Sequence, residues 1–175
     1  MIKITILGAG SVVFTKNVLG DCILTPELGP IHLALHDIDP VRLQDAEKML
    51  ENINKNYGGK AEITSHSDRK EALRGADFVI NTVQIGGYEP CTVTDFEVPK
   101  KYGLRQTIAD TLGIGGIFRA LRTIPFLEEV AEDFHQVCPH AMFLNYTNPM
   151  AMLTGYMQKY LGLNNSIGLC HSVQA

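Results

Sequence analysis

The chain has 175 residues, 45% of them hydrophobic and 19% charged, with a formal net charge of −4. This is the composition of a soluble α/β domain with a buried core, and no apolar run reaches the eighteen or so residues of a membrane span. An acidic balance without a Lys/Arg block argues against nucleic acid as a partner, and the absence of a leader-like start points to the cytoplasm.

The first eighteen residues organise the rest. Ile2, Ile4, Ile6 and Leu7 form a β-rich run that breaks at Gly8-Ala9-Gly10-Ser11 and resumes as Val12, Val13, Phe14 and Val18 at helical spacing. A strand, tight turn and helix in this order direct the N–H groups of a helix start, and their partial positive charge, towards a phosphate. Gly8 and Gly10 allow the backbone to turn and approach closely. The pattern is Gly-x-Gly-x-x-Val, with Val13 in place of the third glycine of the dinucleotide fingerprint. A simple βα turn that needs glycine for its backbone angles is the competing reading.

A second strand, Ile31 to His36, ends in Asp37, where an acidic side chain would accept from a ribose hydroxyl and would repel the 2′-phosphate of NADP. Asp39-Pro40 reads as an N-cap and first helical residue. The helix from Val41 to Tyr57 stops at Gly58-Gly59, Ala61 to His66 is a third strand, and Asp68 caps a short helix to Leu73. Phe78 to Val83, which contains Asn81, is a buried parallel strand. The order β-α-β-α-β-α-β opens a doubly wound, Rossmann-like, mainly parallel sheet with helices on both faces.

Between Gln84 and Ile117 the pattern turns polar and glycine-rich around a helix-like stretch from about Asp95 to Tyr102. A loop region of this length, leaving the carboxyl end of a strand, reads as an active-site wall. A long helix follows from about Phe118 to Val137. Its arginines, Arg119 and Arg122, come early and its acids late, against the helix dipole; a solvated face is the plain explanation and anionic partners the other. Ala141 to Tyr146 is a fifth strand, Asn148-Pro149 reads as the N-cap and first residue of a helix to Tyr160, and Asn164 to Leu169 is a sixth strand. Cys22, Cys91, Cys138 and Cys170 lack metal-finger spacing and read as reduced thiols. From spacing alone, Cys170 and His171 are either structural or part of a site completed elsewhere.

Gly8-Ala9-Gly10-Ser11, the stretch from Gln84 to Phe96, Asp110-Thr111-Leu112-Gly113-Ile114-Gly115-Gly116 with Arg119 to Pro125, Asn145-Tyr146-Thr147-Asn148-Pro149, and Cys170-His171-Ser172-Val173-Gln174 resemble glycoside hydrolase family 4 over the whole chain, most of all its α-galactosidase members. The resemblance implies an N-terminal, NAD-binding Rossmann-like domain over residues 1–175, with the family's C-terminal substrate and metal domain further on. It implies hydrolysis of an α-galactoside by transient oxidation at C3, removal of the C2 hydrogen, departure of the aglycone with acid assistance, addition of water and return of the hydride, an exception to the usual two-carboxylate scheme. NAD and a divalent metal, usually Mn²⁺, are the implied cofactors.

On this resemblance Gly8, Gly10, Ser11, Val12, Asp37 and Asn81 are the expected cofactor-binding residues, Cys170 a metal ligand and Asn148 a substrate contact. Gln84 stands where members acting on 6-phospho-sugars carry an arginine, and losing that cation favours an unphosphorylated sugar. His171 stands where those members place an aspartate acid; either His171 or Asp110 is the expected general acid, with His171 preferred. The fragment alone is expected to be inactive, and the full-length enzyme to be a dimer or tetramer. A lactate- or malate-type dehydrogenase and a non-catalytic NAD-binding module are the alternatives.

Overall fold

The computed structural model describes residues 1–108 and 111–170. In chain order the elements are β1 (Ile2–Leu7), α1 (Val12–Phe14), a π turn (Thr15–Leu19), α2 (Gly20–Leu24), a 3₁₀ turn (Pro26–Leu28), β2 (Ile31–His36), α3 (Pro40–Asn56), β3 (Glu62–His66), α4 (Arg69–Leu73) and β4 (Phe78–Asn81). There follow a kinked helical segment (Gly87–Thr92), α5 (Val93–Lys100), α6 (Gly113–Val137), β5 (Met142–Asn145), α7 (Met150–Tyr160) and β6 (Ser166–Gly168). Among the described residues the strands form one six-stranded sheet in the order β3-β2-β1-β4-β5-β6. β1 runs parallel to both β2 and β4, with Leu7 level with His36 on one side and Asn81 on the other. The sheet is therefore the doubly wound one expected, with its order reversing at β1.

The described chain divides into two compact units, one formed by residues 1–83 and 133–144, the other by residues 84–132 and 145–170. In the first, Ile6, Leu7, Leu33, Leu35, Leu50, Leu73 and Val79 are fully buried. The helix caps follow the sequence: the Asp39 side chain accepts from the N–H groups of Val41 and Arg42, and that of Asp68 from Glu71 N. In the second, Leu127, Leu153 and Met157 are fully buried. None of the described helices is long and apolar enough to cross a membrane.

Four expectations change. Val12, Val13 and Phe14, read as the apolar helical positions, are exposed; Thr15, Leu19 and Gly20 are buried instead, with the Thr15 hydroxyl donating to Ala9 O. α6 begins at Gly113, about a turn and a half before the position read from the pattern, because the Gln106 side chain satisfies its start: Oε1 accepts from Gly115 N at 3.0 Å and Nε2 donates to Leu112 O at 3.0 Å. Gly87–Thr92, read as a glycine-rich loop, is a kinked helical segment, and it leads into α5, the helix-like stretch expected from about Asp95 to Tyr102. Finally, α7 is capped by Pro149, not Asn148: Pro149 is extended (ψ 109) and its carbonyl accepts from Leu153 N.

Candidate functional site

In the first unit the candidate residues converge at the end of β1. Gly8 has φ +88, and a Cβ there would stand 3.0 Å from Thr82 Oγ1 and 3.1 Å from both Thr82 C and Val83 N, so glycine is needed for conformation and for space. The N–H groups of Gly8 and Ala9 donate to His36 O at 2.9 and 3.0 Å, and Ser11 N–H donates to Gly8 O. Gly10 N–H donates to Asp37 Oδ2 at 2.7 Å, while Asp39 N–H donates to Asp37 Oδ1 at 2.9 Å. A Cβ on Gly10 would meet that carboxylate at 2.7 Å and Arg42 Cβ at 2.9 Å.

Asp37 thus ties the glycine turn to the end of β2. A carboxylate has about four acceptor positions, so the two occupied here leave capacity for vicinal ribose hydroxyls. The turn's own N–H groups are spent on His36 O, the Asp37 carboxylate and Gly8 O; those at the helix start, at Val12 and Val13, have no acceptor within the helix, as at any helix N-terminus. Ser11 is the N-cap residue, and its side chain caps none of them. Asn81 is fully buried and its Oδ1 accepts from Val83 N at 3.4 Å, which makes it part of the turn that leaves β4. Thr82, which the sequence did not single out, backs the cradle: its hydroxyl lies 3.0 Å from Leu7 O and 3.1 Å from Gly8 O. The helix start and the carboxylate therefore fit a dinucleotide, and the two glycines let the turn close against Thr82 and Asp37. His36 is buried beside it, and burial lowers its pKa below the ordinary imidazole value. Its Nδ1 faces His66 O at 3.0 Å, and since a carbonyl only accepts, that nitrogen carries the proton.

The second unit carries the other candidates. Gln84 is exposed, and its Nε2 donates to Thr92 Oγ1 at 3.2 Å. Gly86 packs against Cys91 and, through a would-be Cβ at 3.1 Å, against Arg122 Cδ. Arg122 pairs with Asp95 at two points, Nη2 to Oδ1 at 2.6 Å and Nη1 to Oδ2 at 3.1 Å, and the hydrogen bond to that carboxylate raises its pKa. The anionic partner is found, so the solvated-face reading of Arg122 is set aside. Asn148 is half-buried in the turn between β5 and α7, and Cys170 is half-buried beyond the end of β6. Among the described residues no group of three or more His, Cys, Asp or Glu side chains could hold a metal ion, so those residues do not by themselves fit Mn²⁺; Cys170 is a lone candidate ligand. His171 and Asp110 lie outside the described residues.

The other thiols behave as reduced cysteines. Cys138 is buried and its thiol is pushed up to about 11 by desolvation, and burial raises that of Cys22.

A sequence model described as family 4 glycosyl hydrolase matches residues 3–175. The chain is 61% identical to an α-galactosidase of Bacillus subtilis over 99% of its own length and 40% of that protein. It is 39% identical to an α-galactosidase of Rhizobium meliloti, over 98% of the chain and 35% of the relative. Among solved structures, a 6-phospho-β-glucosidase of Thermotoga maritima, determined with manganese, NAD⁺ and glucose-6-phosphate, superimposes with a TM-score of 0.85 at 27% identity, covering 97% of this chain and 40% of that one. The chain thus spans about two fifths of the length of these relatives.

Proposed function

The chain belongs to the family 4 glycosyl hydrolases, and from that premise we propose that it is the NAD-binding part, residues 1–175, of an α-galactosidase that works through transient oxidation of its sugar. The observation that carries the cofactor is the convergence, at the end of β1, of a helix start with an Asp37 carboxylate that keeps acceptor positions beyond those taken by Gly10 N–H and Asp39 N–H. The 61% identity to a named α-galactosidase supports the substrate class.

NAD⁺, when bound, supplies a hydride acceptor that can give the hydride back. Gly8 and Gly10 let its pyrophosphate approach the helix start at Ser11 and Val12, Asp37 takes the ribose hydroxyls, and Asn81 holds the turn below. Asn148 contacts the sugar. Gln84, a neutral side chain, accepts an unphosphorylated sugar where an arginine would pair with a phosphate. Protonation of the leaving oxygen belongs to His171, with Asp110 as the alternative; His171→Asn and Asp110→Asn in the full-length enzyme would tell them apart by which one removes the acid-dependent limb of the pH profile. Cys170 is the chain's contribution to a divalent metal whose remaining ligands belong to the rest of the protein. The full-length protein is a cytoplasmic homo-oligomer, a dimer or tetramer, acting on a small soluble galactoside.

The test is to incubate the full-length protein with p-nitrophenyl α-galactoside, NAD⁺ and Mn²⁺, and separately with malate and NAD⁺. Release of p-nitrophenol that needs both additions, with no net NADH, supports the proposal. Net NADH from malate without p-nitrophenol would replace it with a dehydrogenase.

A further inference from the structure

We infer that Asn145 is a positioning residue that holds the turn carrying Asn148 and the strand end leading to Cys170 as one piece. The inference deepens the proposed function, because it rests on Asn148 as the sugar contact.

Asn145 is the last residue of β5 and is fully buried. Its backbone carbonyl accepts from Leu169 N at 2.9 Å, which fixes the residue next to Cys170. Its Oδ1 accepts from Thr147 N at 3.3 Å, and its Nδ2 donates to Thr147 O at 3.2 Å and to Thr154 Oγ1 at 3.5 Å. One side chain therefore grips both backbone polar groups of the residue preceding Asn148 and reaches the second turn of α7. Thr147 is 4% exposed and Thr154 9%, so water is a poor substitute for these bonds.

The surroundings leave little slack. A Cβ on Gly168, in β6, would stand 2.7 Å from Thr154 Oγ1 and would also collide with Met150 Sδ, so the Met150 and Thr154 side chains of α7 rest directly on the β6 backbone. A carboxamide is the one short group that accepts and donates in this geometry. Aspartate would keep the bond from Thr147 N but lose both donations; alanine would lose all three.

The test compares full-length wild type with Asn145→Ala, Asn145→Asp, Asn148→Ala and the double variant Asn145→Ala/Asn148→Ala. We expect Asn145→Ala to lower kcat/KM for p-nitrophenyl α-galactoside at least tenfold while NAD⁺ affinity, read by fluorescence titration, stays within twofold. Asn145→Asp should fall between wild type and alanine. If Asn145 acts through Asn148, the double variant will be no more than about threefold worse than Asn148→Ala alone. Losses that multiply, or NAD⁺ affinity that falls in parallel with activity, overturn the inference. Should wild type not cleave the galactoside, the proposed function fails and amide hydrogen exchange decides about Asn145. Faster exchange at Thr147 in Asn145→Ala, with Gly10 unchanged, sustains its positioning role, and unchanged exchange at Thr147 refutes it.

Discussion

Arg122 of α6 and Asp95 of α5, 27 positions apart in the chain, form a two-point ion pair in which Asp95 is 1% exposed and the Arg122 side chain 24%. The asymmetry of burial sets the outcome of breaking it. Arg122→Ala leaves a buried carboxylate without its counter-ion and should cost about 3 kcal/mol, in the range for a buried pair deprived of one partner. Asp95→Asn leaves a guanidinium that still reaches solvent, so its cost should be smaller. Urea midpoints of the two variants check the order; Asp95→Asn as the worse of the two would contradict it.

The two glycines of the cradle should fail differently. Alanine at Gly8 meets backbone atoms at 3.1 Å and a φ of +88, so it should destabilise the fold by about 1–2 kcal/mol. Alanine at Gly10 keeps an ordinary φ but meets Asp37 Oδ2 at 2.7 Å and Arg42 Cβ at 2.9 Å, so Gly10→Ala should push the turn away from Asp37 and weaken NAD⁺ binding at least tenfold. Thermal unfolding and fluorescence titration of both variants separate these effects.

Asp37 is expected to set the preference between the two nicotinamide dinucleotides. Asp37→Asn keeps an acceptor for Gly10 N–H but removes the negative charge that repels a 2′-phosphate. The ratio of NADP⁺ to NAD⁺ affinity should rise about tenfold, or about 1.4 kcal/mol. An unchanged ratio would remove Asp37 from the ribose site.

Features encoded locally were legible in the sequence, and features assembled over distance were not. Asp39 and Asp68 announce their helices because an N-cap needs only its own side chain and the next three N–H groups. The strand, turn and helix from Ile2 onwards were likewise read from adjacent residues, and Asp37 from its place at a strand end. Three features were not foreseen. Gln106 starts α6 from across a turn, so no signal next to Gly113 announces the helix. The partner of Arg122 lies on a different helix, and the charge order of α6 hinted only that such a partner existed. Asn145 looks like an ordinary strand-end asparagine until β6 and α7 come to it.

Stability should fall on the acid side of neutrality. Burial lowers the His36 pKa, and burial also lowers those of His32 and His66. Each folded value lies below the unfolded value of about 6.5. The unfolded chain therefore takes up protons first, and the contribution present above pH 6.5 is lost as pH drops through the folded values. The urea midpoint should decrease between pH 7.5 and 5.5, and His36→Gln should flatten part of that slope. A midpoint that rises over this interval would contradict the sign.

The most direct test of the account follows the hydrogen at the second carbon of the sugar. Full-length protein, supplied with NAD⁺ and Mn²⁺, should hydrolyse an α-galactoside deuterated at C2 in ordinary water and release galactose that has lost the deuterium, because oxidation at C3 makes that position exchangeable. Galactose that keeps its deuterium would show that the bond breaks without oxidation of the ring, and would contradict the account even if the nucleotide were bound at Gly10 and Asp37.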